Sequence, residues 1–349
     1  MILTFRFRVK DKNRLKQLRT NAWKVNRIWN YCVEYHRSCV NFWPSHFDLV
    51  KATQALGKEI DIHSDTRNLV CKQFVISRNT HKKCPKFRKS SGSKRSLGWT
   101  PFIRRAVRLC NDSITYKKVT YRFWKHREFP QKFRSGAFVE DSTGKWFITF
   151  SADVSNLQQA PDVCVGIDLG LKTLATLSNG EKLEIQQVYR RWEKRLATAQ
   201  RAGNQRRVKA IHAKIKNIRK HFNHVASARI ARKFRTVVAG DVSSSKLAKT
   251  RMAKSVLDAG WYQLKSFLAY KVSRRQGMFK VVNEAYSSQT CSSCGCLPHG
   301  RPKGITGLGV RSWRCSACGK MLDRDINAAK NILNFGLEHQ PPAEESLCL

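Results

Sequence analysis

Residues 164–176 read CVGIDLGLKTLAT, an apolar run that stops on a carboxylate at Asp168, and TLATLS and NGEKLEI then follow in the manner of a hairpin. The first run has the pattern of a buried strand. Two further short strands are expected at VVAGDV, which carries Asp241, and at FKVVNEA, which carries Glu284, with a helix between them from Lys249 to Arg275. Residues 186–235 read as a long helical hairpin broken near Ala202-Gly203-Asn204. It holds sixteen Lys and Arg against one acid, Glu193, which suits a phosphate-contacting surface better than an ordinary solvated face. The order strand, strand, strand, helix, strand, helix, strand predicts a mixed sheet flanked by helices. A last acidic stretch, LDRDINAAKNIL, places Asp325 at the start of a helix, with Asp323 suited to its N-cap. Carboxylates far apart in sequence but convergent in space bind hard divalent cations and set water against phosphate.

Ahead of that last stretch, Cys291-x-x-Cys294 and Cys315-x-x-Cys318 are each followed by glycine, Gly295 and Gly319. This is the spacing of a four-thiolate zinc ribbon. Cys296 stands close enough to compete as a ligand, but the symmetry of the two C-x-x-C-G knuckles favours the other four. A closed four-cysteine site is structural, so its metal should not perform chemistry. Arg301, Lys303, Arg311 and Arg314 lie between the knuckles and suggest that the ribbon touches nucleic acid.

The N-terminal half reads differently. Residues 1–10 alternate apolar and basic like a strand, and helical spacing runs from about Asn13 to Val40, with two or three more helices to about residue 81. HKKCPKFRKSSGSKR then breaks the pattern as an expected mobile basic loop. Residues 98–154 are β-rich, with aromatics among bases: Trp99, Phe102, Tyr116, Tyr121, Phe123 and Trp124 beside Lys117, Lys118 and Arg122. Such side chains can stack on nucleobases, although a small barrel would spend most of them on its core.

Composition bounds the partners. Lys and Arg number 67 against 24 Asp and Glu, a formal net charge of +43, and 41% of the residues are hydrophobic. A folded chain with that excess repels itself unless a polyanion relieves it, so nucleic acid is the expected partner. No run approaches the ~20 apolar residues of a membrane span, the N-terminus lacks the apolar core of a signal peptide, and twelve cysteines including two knuckles fit a reducing cytoplasm.

With these residues in place, the chain resembles TnpB, the RNA-guided nuclease family of small insertion sequences and relative of the type V CRISPR effectors. GIDLG around Asp168, the paired knuckles and DRDINAAKNIL around Asp325 match that family's RuvC-like domain. GWTPF at 98–102 and DSTGKWFITF at 141–150 resemble its wedge strands. The resemblance implies an α/β RuvC nuclease of RNase H-like topology with an inserted four-cysteine zinc ribbon, plus a small N-terminal β-barrel interrupted by a helical recognition lobe. Its expected segments are a wedge barrel at 1–10 and 96–158, a helical lobe at 11–95, the RuvC-like domain at 162–287 and 321–337, the ribbon at 288–320, and a disordered tail at 338–349.

The implied activity is RNA-guided cutting of double-stranded DNA beside a short licensing motif, with base pairing reading the target. Guide RNA and target DNA are the implied partners, and structural Zn²⁺ and catalytic Mg²⁺ the implied metals. Asp168 and Asp325 would flank two Mg²⁺ ions about 3.5–4 Å apart, and Lys172 and Arg324 would hold the scissile phosphate. One departure stands out. The family's second RuvC motif usually carries Glu, as in IEDL, whereas VAGDV here offers Asp241. Either that shorter acid completes the metal set, or Glu284, at the end of the next strand, has taken over. If neither serves, the chain is a guided binder that does not cut. A conventional strand-transferring transposase is the weakest alternative.

Overall fold

A computed structural model describes residues 1–39, 42–92, 94–128, 132–242, 247, 253–303 and 306–337. The expected disordered tail at 338–349 lies outside them, as do residues 249–252 of the expected 249–275 helix. The chain divides into two compact units, Met1–Val154 and Ser155–Leu349.

In the first unit, β1 (Ile2–Arg8) pairs antiparallel with β7 (Trp146–Asp153), and the sheet continues through β6 (Ser135–Glu140) to β2 (Trp99–Ile103). A second antiparallel sheet runs β3 (Val107–Cys110), β4 (Ser113–Tyr116) and β5 (Val119–Arg122). Period-2 alternation turns Phe7, Phe102, Phe138, Ile148 and Phe150 into one core with Ile114, Tyr116, Tyr121 and Phe123. Of the six aromatics considered for base stacking, Phe102, Tyr116, Tyr121 and Phe123 are therefore consumed by packing. Trp124 stays 57% exposed.

The helices are α1 (Leu15–Ser38), α2 (His46–Ala52), α3 (Gln54–Glu59) and α4 (Ser64–His81). Val25, Ile28, Trp29, Cys32 and Val33 of α1 meet Val70, Cys71 and Phe74 of α4, the i, i+3, i+4 stripe of a half-buried helix. The basic stretch after α4, expected to be mobile, is tied to α1. Trp29 Nε1 donates to Lys86 O at 3.0 Å, Asn30 Nδ2 to Arg88 O at 3.0 Å, and Arg88 Nε to Asn26 Oδ1 at 2.7 Å. Composition alone missed this, because the partners are polar residues on α1 that a hydrophobic pattern ignores.

The second unit is built on a five-stranded sheet in the order β10 (Lys182–Glu184), β9 (Thr173–Leu177), β8 (Cys164–Leu169), β11 (Thr236–Gly240), β12 (Met278–Val282). The first three form an antiparallel meander, and β8, β11 and β12 run parallel. The expected basic hairpin is α5 (Val188–Arg201) and α6 (Gln205–Lys233). Between β11 and β12 lie α7 (Ala253–Ala259) and α8 (Trp261–Arg274), separated by Gly260 at φ +66°, so the described part of that stretch is two helices. Val165, Ile167, Val237 and Ala239 point into a core shared with α6, α7 and α8.

The opposite face takes α9 (Arg324–Gly336). A Cβ on Gly166 would lie 2.0 Å from Ala329 O and 2.8 Å from Leu333 Cβ, so only glycine lets this helix settle onto β8. A two-stranded ribbon, β13 (Ser312–Arg314) and β14 (Met321–Asp323), leads into the helix. No helix among the described residues is long and apolar enough to cross a membrane.

Candidate active site

Strand parity decides which side chains meet. In β8 the odd residues enter the core, so Gly166 and Asp168 face α9. In β11 the same rule turns Val238 and Gly240 to that face, and a Cβ on Gly336 of α9 would meet Val238 Cγ1 at 2.4 Å. In β12 it turns Lys280, whose Nζ donates to Gly336 O at 3.0 Å, and hence Val282 and Glu284 the same way. The ladder pairs Ile167 with Ala239 and Gly240 with Val282. The next residue on β8 is Asp168, level with Gly240.

Gly240 has no side chain to offer, and Glu284 fills its space. A Cβ built on Gly240 would lie 2.2 Å from Glu284 Oε2 and 3.2 Å from both its Cβ and its Cδ. When VAGDV is aligned with IEDL on their shared aspartate, the motif's Glu falls on Gly240 and its Asp on Asp241. Asp241 is exposed, one residue past the strand.

Asp325 joins from the first turn of α9. Asp323 is that helix's N-cap, as expected, its Oδ1 accepting from the N–H groups of Asp325 at 3.0 Å and Ile326 at 2.9 Å. A cavity of about 470 Å³ is lined by Asp168, Glu284, Asp325, Lys172, Arg311 and Arg324, among others. Burial pushes the Asp168 carboxyl up to about 7, with the charge of Asp325 adding and Arg324 opposing. Burial likewise lifts Glu284 to about 7, with Asp168 and Asp241 adding and Lys265 opposing. Glu284 Oε2 is buried with no hydrogen-bond partner among the described residues. Three carboxyls thus share one cavity, one of them with a buried oxygen that has no hydrogen-bond partner among the described residues. The all-oxygen donor set suits a hard divalent ion such as Mg²⁺.

Arg311 was legible only as one basic residue of the ribbon, yet its Nη1 lies 3.4 Å from Asp325 Oδ2. Arg301 and Arg314 direct bonds inward instead, to Leu297 O and Pro298 O and to Gly319 O. Arg324 Nη1 donates to Gly307 O at 3.1 Å.

The four knuckle sulfurs converge. Cys291, Cys294, Cys315 and Cys318 place their Sγ atoms within 4.8 Å of one another, with Cys291–Cys318 and Cys294–Cys315 both at 3.7 Å. Four thiolates at ~2.3 Å from a tetrahedral zinc would stand about 3.8 Å apart, so the cluster fits that ion. Gly295 and Gly319 turn the knuckles at φ +76° and +72°. Cys296 lends its carbonyl, accepting from Cys291 N at 2.9 Å.

Residues 147–251 match the family model OrfB_IS605, described as "Probable transposase", and residues 261–332 match the Cas12f1-like TNB domain. The chain is 37% identical over 212 residues to a Streptomyces pristinaespiralis protein named "Putative RNA-guided DNA endonuclease", across 56% of this chain and 51% of that one. It is 30% identical over 228 residues to an Escherichia coli K12 protein of the same description, InsQ, across 57% and 56%. The chain thus spans about half the length of these curated relatives. A solved Cas12f1–sgRNA–target DNA complex shares the fold at TM-score 0.62 and 13% identity, covering 93% of this chain and 83% of that one. The resemblance to TnpB is thus matched by two family models, over residues 147–251 and 261–332.

Proposed function

We propose that the chain is an RNA-guided DNA endonuclease of an insertion sequence, working in the bacterial cytoplasm, whose acid set is Asp168, Glu284 and Asp325. The observation that carries this reading is the occupation of Gly240's side-chain space by the Glu284 carboxylate. A strand that has lost its own acid but receives one from the neighbouring strand keeps a complete set, which disfavours a binder that cannot cut. Asp241 lies outside the cavity lining and acts on Glu284 through its charge.

Asp168, Glu284 and Asp325 would hold Mg²⁺, which would supply Lewis-acid activation of water and compensation of phosphate charge. The protein's own groups do the rest. Lys172 and Arg324 line the cavity and hold the scissile phosphate. Arg311, 3.4 Å from Asp325 Oδ2, adds a cation to the same cavity. The four cysteines hold a structural Zn²⁺. The basic surface of α5 and α6 grips the guide RNA backbone, while pairing between guide and target selects the site beside its licensing motif. The first unit corresponds in this reading to a wedge barrel and recognition lobe. Sequencing the RNA that co-purifies, then offering a matched duplex with randomised flanks and Mg²⁺, tests the proposal. Discrete cut ends beside one enriched flank support it, and an intact duplex opposes it.

A further inference from the structure

Six residues, 285–290, join Glu284 to Cys291, the first knuckle cysteine. Their backbone is tightly wound: Tyr286 sits at φ +61°, Ser287 N donates to Glu284 O at 3.1 Å, and Gln289 N and Thr290 N both donate to Tyr286 O at 2.9 Å. Two asparagines one turn apart on α9, Asn327 and Asn331, reach this segment from a buried face, 1% and 3% exposed. Asn331 Nδ2 donates to Ser287 O and to Thr290 O, both at 2.7 Å. Asn327 Nδ2 donates to Thr290 O at 2.7 Å and Ser287 O at 3.3 Å, while its Oδ1 accepts from Ser292 N, inside the knuckle, at 2.8 Å.

Asparagine is a poor helix former and costly to bury. The buried neighbours on α9, Ala328, Ala329 and Ile332, are what packing alone would choose. The two amides place five hydrogen bonds on one short backbone stretch. The same helix carries Asp325 in its first turn. Glu284 has an orphaned Oε2, so its carboxylate is aimed mainly by the backbone that bears it. We propose that Asn327 and Asn331 are positioning residues that lock the Glu284 strand end and the first cysteine knuckle onto the helix of Asp325. Occupancy of the four-cysteine site and the geometry of the acid set are then coupled through this clamp. The inference rests on the reading of the acids as divalent-cation ligands.

The test uses the full chain with its co-purified RNA and Mn²⁺ as the probe, with binding followed by electron paramagnetic resonance. Asn331→Asp keeps the shape but removes both donated bonds. Outer-shell partners of metal ligands are commonly worth 10–100-fold in affinity, so Mn²⁺ binding should weaken about tenfold, with zinc content and RNA affinity unchanged. Stripping zinc from the unmutated chain with a chelator should weaken Mn²⁺ by a similar factor. That arm needs no variant, so misfolding of Asn331→Asp does not decide the result. Stripping zinc from Asn331→Asp should add less than about twofold, because one clamp carries both effects. Unchanged Mn²⁺ affinity in Asn331→Asp, or two effects that multiply independently, overturns the clamp while leaving the acid set intact. If Asp168→Ala binds Mn²⁺ like the unmutated chain, the acid-set reading falls, and the clamp with it.

Discussion

Replacing Gly240 with alanine isolates the role of the empty space on β11. Gly240 does not occupy the positive-φ region, so the backbone accepts alanine without strain. The new methyl would lie 2.2 Å from Glu284 Oε2. Ordinary contact begins near 3.4 Å, so the oxygen must withdraw by about 1 Å. The displaced atom is the far end of a side chain, which makes the movement cheap for stability: ~1 kcal/mol at most, or a few degrees of melting temperature in a domain of this size. Chemistry is less forgiving, since a misplacement of ~1 Å in a reacting set costs on the order of 10²-fold. Single-turnover cutting of a guide-matched duplex in Mg²⁺ should therefore fall about a hundredfold, with guide and target affinity preserved. Gly240→Ala cutting at the unmutated rate would refute the idea that Glu284 works from that space.

Moving the acid back, with Gly240→Glu combined with Glu284→Ala, should restore part of the cutting that Glu284→Ala loses, whereas Asp241→Asn alone should cost less than Glu284→Gln; both comparisons are read from cleavage time courses. Asp168 and Glu284 have folded-state pKa values raised to about 7, so the metal-free chain binds more protons folded than unfolded. Its stability from these groups is present below about pH 4 and lost as pH rises through 7, by a few kcal/mol. Thermal melts from pH 5 to 8 should show that decline, Glu284→Gln should flatten it, and Mg²⁺ should oppose it most at high pH. Rising stability over that window without metal would contradict the crowded-carboxyl geometry. Metal analysis should find one zinc per chain, and Cys315→Ser should release it and alter the fluorescence of Trp313, which packs with Cys291, Cys315 and Leu322. RNA affinity should fall by orders of magnitude over a modest rise in salt, as read by filter binding; a flat response would contradict the phosphate-contacting role of α5 and α6.

Much of the second unit was legible because its signals are local. The apolar run ending on Asp168, the glycine-turned knuckles and the Asp323 cap each depend on neighbours within a few residues. Local spacing sets each pair of sulfurs, while the meeting of the two pairs, 21 and 27 residues apart, was legible only because the C-x-x-C-G knuckle occurs twice. Long-range complementarity was harder to read. A glycine at 240 looks like a missing acid until the next strand is laid beside it. Arg311 looks like one more surface cation until β13 turns it toward Asp325. The basic stretch after α4 looked loose because its anchors, Asn26, Trp29 and Asn30, lie more than fifty residues earlier on α1. The β-rich aromatics split as packing demands: the strands that close the first unit's core took Phe102, Tyr116, Tyr121 and Phe123 and left Trp124 outside.

The most direct measurement is Mg²⁺-dependent cutting of a guide-matched, motif-flanked duplex by the unmutated ribonucleoprotein and by Glu284→Gln, with target binding followed in the same samples. The predicted result is cutting by the first, none detectable by the second, and equal binding by both. An unmutated particle that binds but never cuts in Mg²⁺ or Mn²⁺, or a Glu284→Gln particle that cuts as fast as the unmutated one, would contradict it.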